Sequence, residues 1–326
     1  MSAVQPEAPR HWREALSREE INQLVETNNW RGWLSIALDW GLVAAAMALV
    51  TALPNPLTIV LAIALIGTRQ LGFAVLMHEA AHYALFRNRA LNDWAGNWLC
   101  AYPIWADLQP YRGYHLTHHA KNWTKDDPDL DLATKFPVTK ASMRRKIWRD
   151  LSGQVGWKRV KATLRRDLSG GTSKARRENL VTTVGKTADP GRPGWHNLKG
   201  VVLTNLVLLG LLATLGHAEL YLLWVVAWFT VNSLVTRIRS IAEHAMPTDP
   251  GDELRNTRTT LATLWERLFI APNRVNYHLE HHLLMTVPLY NLPKLHRLLR
   301  SRGALDGALV TRGYASVLRE AAAKAA

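Results

Sequence analysis

Three imidazoles fall within five residues in the segment HLTHH, at His115, His118 and His119. On an α-helix the positions i, i+3 and i+4 share one face, so this spacing directs three neutral nitrogen ligands into one volume. Such a set suits a first-row transition metal. The spelling recurs as HLEHH at His278, His281 and His282, and HEAAH sets His78 and His82 one helical turn apart. His244, in RSIAEHAM, closes a long apolar run and brings the candidate ligands to nine. The other histidines, His11, His196, His217 and His296, are isolated and read as plain surface or interface residues.

Taken alone, HEAAH matches the zinc-peptidase pattern, in which two histidines hold the metal and Glu79 acts as general base. That reading leaves seven clustered histidines unused. It also lacks a distant acidic ligand from another span, because the Leu-Asp-Gly triplet Leu305 to Gly307 lies in the polar tail. A carboxylate-bridged di-iron bundle would use Glu79 and His82 as an ExxH pair, but it needs a second pair and two further inward glutamates, and none is correctly spaced. Glu79, Glu243, Glu280 and the acidic run Asp126, Asp127, Asp129 and Asp131 can serve as hydrogen-bond partners that fix imidazole tautomers. For DDPDLDL, solvated loop charge is an equal alternative.

The elements that must position these ligands are largely apolar. In 326 residues with a formal charge of +14, the apolar residues come in blocks, which favours an anionic membrane surface over nucleic acid as the partner of the basic charge. The single cysteine, Cys100, excludes an intrachain disulfide and a cysteine-ligated iron–sulfur centre. No charged-then-apolar signal layout opens the chain, so the expectation is a mature start at or near Met1. Ser17 and Glu20 spell a capping box, with Leu16 and Ile21 as its hydrophobic staple, opening an interfacial helix within residues 1–32.

Apolar runs then predict four membrane spans in two hairpins, at about 33–53, 57–77, 201–215 and 220–235. Asp39 within the first span needs a helix partner or a polar pocket. Arg69 and Arg237 are expected to snorkel at the interface, which carries His78 and His244 to a similar height above it. WAGNWLCAYPIWADL, too short to cross, suits the headgroup level. The cap that holds the clusters spans about 78–200 and 236–297. The basic stretch KLHRLLRSR leads into the tail 298–326 and is expected on the inner membrane surface. The connections LPNP and GHAE lack Lys and Arg, so the positive-inside rule puts both termini and all clusters in the cytoplasm.

HEAAH, HLTHH and HLEHH, in this order and with two spans between the second and third, resemble the membrane fatty acid desaturase and hydroxylase superfamily. The likeness runs from about Gly32 to Arg297. It implies an all-α integral membrane protein with four transmembrane helices in two hairpins and a cytoplasmic helical cap. It further implies two iron ions on His78, His82, His115, His118, His119, His244, His278, His281 and His282, O2 as co-substrate, and a lipid acyl chain as substrate. The chain has no GxGxxG flavin or nicotinamide fingerprint, so electrons must come from a separate donor such as a ferredoxin or a cytochrome and its reductase. Acyl-CoA relatives carry an Asn that joins the metal environment where this chain has Ser240. The three-residue spacing in HEAAH resembles lipid-type or carotenoid-type members, and His278 in place of Gln, with no HPGG segment, departs from front-end desaturases. The resulting expectation is an acyl-lipid desaturase, with a hydroxylase, ketolase or alkene-forming decarboxylase on the same scaffold as the alternative and a non-catalytic metal or haem carrier as a further one.

Overall fold

A computed structural model describes residues 11–168 and 198–325. His196 and the SGGTSKARR stretch of the basic cap lie outside the described residues. The helices are α1 (Arg18–Val25), α2 (Asn29–Ala52), α3 (Pro56–Ala81), α4 (Arg89–Ala95), α5 (Leu108–Lys121), α6 (Leu130–Ala133), α7 (Lys140–Leu151) and α8 (Gln154–Leu168). After the cap come α9 (Lys199–Thr214), α10 (Tyr221–Phe229), α11 (Val231–His244), α12 (Leu264–Phe269), α13 (His278–Leu283), α14 (Leu292–Ser301) and α15 (Tyr314–Ala321).

Local chemistry sets the helix starts. Ser17 and Glu20 form the expected capping box on α1. Asn28 caps α2 by accepting from Trp30 N at 2.9 Å, and Asn55 caps α3 with Pro56 at its first turn. Three helical segments are long and apolar enough to cross a membrane: Asn29–Ala52, Pro56–Ala81 and Ala218–His244, the last combining α10 and α11 across a bend at Thr230. The apolar helix Lys199–Thr214 is shorter, at 16 residues.

α2 and α3 pack against each other along their length. Asp39, fully buried, pairs with Arg69 at 2.9 Å and accepts from Asn273 Nδ2 at 2.7 Å. Asp39 thus has the helix partner it needs, but Arg69 does not snorkel: it is 4% exposed and also donates to Leu268 O at 2.6 Å. A carboxylate beside a buried cation offsets part of the desolvation penalty that a lone one would carry in full. Gly72 makes room for the pair, since a Cβ there would sit 2.5 Å from the Asp39 carboxylate. Arg237 does not snorkel either; it pairs with the buried Asp150 of α7. Together, the Arg69 and Thr68 bonds to Leu268 O and Phe269 O pin the segment before α13 onto α3.

The C-terminal residues also build the body. A short parallel pair, β1 (Thr259–Leu261) and β2 (Val310–Arg312), interrupts the all-α pattern and ties the tail to the strand preceding α12. α15 packs on α11, with Tyr314 buried against it. KLHRLLRSR forms α14, yet Leu292, Leu295, His296 and Leu299 face the protein, so its apolar face is spent on the core and not on a membrane surface. In WAGNWLCAYPIWADL, Trp94 and Trp98 stay exposed while Cys100 is an ordinary buried small residue.

Candidate metal centre

The four histidine-bearing segments converge at the cap end of the long helices. His78 lies in the last turn of α3 and His82 at its C-cap, His115, His118 and His119 on α5, His244 at the end of α11, and His278, His281 and His282 on α13. Arg112, three residues before His115, locks α5 onto α3 by donating to the Ala80 and Ala81 carbonyls at 2.9 and 3.0 Å, at the end of the helix. Asp93 pairs with the same guanidinium.

Three groups of candidate ligand atoms result, the last two sharing His244. His78, His82, His115, His119 and His281 each present a ring nitrogen within 4.8 Å of every other. His118, His244 and His282 form a second such set, and Glu243, His244 and His278 a third that shares His244. All nine sequence candidates are therefore in the cluster. Facing nitrogens lie at 3.0 Å for His115 and His119, 3.0 Å for His119 and His281, and 2.8 Å for His244 and His278. Adjacent ligands on one metal at about 2.1 Å stand about 3 Å apart, so these spacings match a shared coordination sphere. Both ring nitrogens of His78, Nε2 of His82, His118 and His282, and Nδ1 of His281 are buried without a hydrogen-bond partner. Orphaned buried imidazole nitrogens of this density fit a metal centre and little else.

Electrostatics keeps the rings neutral and ready to ligate. Burial holds His115, His278, His281 and His282 well below the usual imidazole range, His82 at about 4 and His119 at about 2. His118 is the exception. Burial pushes it down, but the Asp127 hydrogen bond and the Asp129 charge outweigh that and leave its pKa raised.

Of the acidic run, Asp127 has the tautomer-fixing role: its Oδ1 lies 2.8 Å from His118 Nδ1, which leaves Nε2 for a metal. It also accepts from Trp123 N and Asp129 N, closing the loop that carries it. Asp126 and Asp131 are exposed. The three glutamates diverge. Glu243 stands 3.5 Å from His278 Nδ1 and is held by Arg239, Glu280 accepts from Thr259 and from His296, and Glu79 accepts from Leu289 N at 2.9 Å. Glu79, the base of the peptidase reading, is thus turned onto a backbone amide.

His296 corrects the sequence reading. It is 5% exposed, and its Nδ1 meets Glu280 at 2.6 Å, directly behind the HLEHH helix. Tyr111 was overlooked as well; its ring stacks on His115 at 5.2 Å and 8°. Its place one turn before His115 on the same helix was the available signal. His11 and His217 stay outside the cluster.

The Fatty acid desaturase family model matches residues 54–313, which takes in all nine histidines. Dihydrorhizobitoxine desaturase of Bradyrhizobium elkanii is 28% identical over 296 residues, covering 86% of this chain and 79% of that protein. With the histidine clusters gathered at the head of long apolar helices, this chain belongs to the fatty acid desaturase family and is a membrane oxidoreductase.

Proposed function

We propose that the chain desaturates a lipid acyl chain at two iron ions, using O2 and a separate electron donor. The observation that carries this is the nine-imidazole cluster, in which five of the rings hold buried nitrogens without a partner. One iron would be held by His78, His82, His115, His119 and His281, the other by His118, His244, His278 and His282, with Glu243 beside His278. Ser240, where an Asn ligand stands in acyl-CoA relatives, is not needed to complete either set.

Iron held on neutral nitrogens supplies the redox chemistry that turns dioxygen on an unactivated C–H bond. In the overall reaction two hydrogens leave adjacent carbons, dioxygen becomes two waters, and two electrons with two protons come from the donor. The protein's own residues orient and exclude. Asp127 holds the His118 ring, Arg112 fixes α5 on α3, and the Glu280–His296 pair backs α13. The buried setting keeps bulk water from the oxidising site. Desaturation is favoured over hydroxylation because the relative's name specifies it.

The membrane reading has four spans, with Lys199–Thr214 as the third, and the cap and termini cytoplasmic. Exposed Arg144, Arg145 and Arg149 of α7, with exposed Trp148 and Trp157, support contact between the cap and anionic headgroups. Mass spectrometry of lipids from a host expressing the chain tests the reading: products lacking two hydrogens support it, products gaining oxygen assign hydroxylation, and an unchanged lipid profile with electron donor supplied refutes it.

A further inference from the structure

Beneath the metal centre, a half-buried guanidinium has no ion-pair partner among the described residues. Arg159 of α8 reaches between α10 and α11, donating to Trp228 O at 3.0 Å and Asn232 Oδ1 at 3.2 Å, and lies 3.6 Å over the Trp228 ring. Gly156, one turn earlier, allows this approach, since a Cβ there would sit 2.6 Å from Phe229 O. Among the described residues no carboxylate pairs with Arg159, and its Nε is buried without a partner. Holding a desolvated cation on neutral acceptors alone is costly unless an anion joins it.

Arg159 lines a chamber of about 30 Å³ with Ala74, Trp105, Trp228, Asn232 and Thr236. A second donor on the same chamber, Trp105 Nε1, is likewise buried and unpartnered. Trp105 caps the C-terminus of the short 3-10 helix Tyr102–Ile104 in a left-handed conformation, φ 64°, which turns the chain toward the chamber. Through Trp105 and Trp228 the chamber adjoins an apolar cavity of about 220 Å³, lined by Val201, Val202, Tyr221, Trp224 and Val225. On its other side Ala74 is one turn, about 6 Å, before His78 on the same face of α3.

We propose that Arg159 and Trp105 bind the carboxylate of an unesterified fatty acid whose alkyl tail occupies the apolar cavity, so that the substrate is a free acid and not a glycerolipid ester. This rests on the acyl-chain reading above and fixes its head group. A carboxylate supplies the acceptors that both orphaned donors lack and a negative charge in contact with Arg159, which the Asp150 carboxylate attracts only from a distance, and the chamber has no room for a phospholipid headgroup.

The test is binding to the purified full-length, iron-loaded protein in detergent, followed by tryptophan fluorescence at pH 8, with dodecanoic acid and its methyl ester as probes. The acid should bind at least about tenfold tighter than the ester, the scale of a hydrogen-bonded charge pair. Arg159→Met should erase that preference, and Arg159→Lys should keep part of it. Trp105→Phe, which retains the ring and loses only the N–H, should weaken the acid alone by severalfold and serves if Arg159→Met does not fold. Equal binding of acid and ester by the wild type, or an undiminished preference in Arg159→Met or Trp105→Phe, overturns the proposal. Because binding needs neither O2 nor electrons, a protein that binds the acid selectively yet oxidises no acyl chain overturns the desaturase reading and leaves this site standing.

Discussion

Asp127 is the side chain through which the account of the metal centre is most exposed to test. Its carboxylate sits 2.8 Å from His118 Nδ1 and also accepts from the Trp123 and Asp129 amides, so it fixes both the ring and the loop behind it. Partners of this kind change metal affinity about 10- to 100-fold, or about 1.4 to 2.7 kcal/mol. Asp127→Asn preserves size and an acceptor but removes the charge-assisted hydrogen bond that, with the Asp129 charge, raises the His118 pKa. Because His118 must shed its proton to ligate, iron affinity in the wild type should fall about tenfold per pH unit once the pH drops below that raised pKa. In Asp127→Asn the fall should begin at lower pH, while affinity at pH 8 drops 10- to 100-fold for want of orientation. Iron retained against a graded chelator, read by metal analysis across pH 5 to 8, measures both effects. Wild-type retention in Asp127→Asn at every pH would refute the assignment of His118 as a ligand oriented by Asp127.

Replacing any of His78, His115, His118, His119, His281 or His282 by Ala should abolish turnover while membrane insertion, read by fractionation, is unchanged. His296→Ala should cut turnover and iron content as well, because it strips Glu280 of its buried partner; a fully active, iron-replete variant would return His296 to a surface role. Asp39→Ala should destabilise the detergent-solubilised protein by about 3 to 5 kcal/mol, since Arg69 is left buried and unpaired, and Asp39→Asn combined with Arg69→Met should recover most of the loss in a thermal unfolding assay. Cysteine probes at Asn55 or His217, with Cys100 first replaced by Ser, should react with an impermeant thiol reagent in intact cells, and one at Arg145 should not. Outside labelling of Arg145→Cys would invert the orientation.

The gathering of the histidines was legible because imidazoles at i, i+3 and i+4 share one helix face, and the start of α1 was legible because Ser17 and Glu20 satisfy each other locally. What escaped was contact between distant segments. Arg69 read as an interfacial cation, but Asp39 and Arg69 stand fifteen residues to either side of Pro54, and equal distance from a hairpin turn was a usable signal. His296 looked isolated because its partner Glu280 belongs to another helix, brought close only by the turn that Glu79 anchors through Leu289. DDPDLDL divided, with Asp127 bonded to His118 and Asp129 half-buried on Tyr114 while Asp126 and Asp131 are exposed, a distinction that depends on how the loop folds back after α5. The β1–β2 pair, with three residues per strand, is too short for any periodicity to reveal.

The most direct test of the central claim is the iron content of the wild-type protein purified anaerobically after iron-replete expression, expressed per polypeptide and read beside the all-alanine variant of His118, His244, His278 and His282. Two irons in the wild type and one in the variant is the expected result, because the variant keeps His78, His82, His115, His119 and His281 intact. A single metal in the wild type, or no loss on removing the second set, would contradict a two-iron centre.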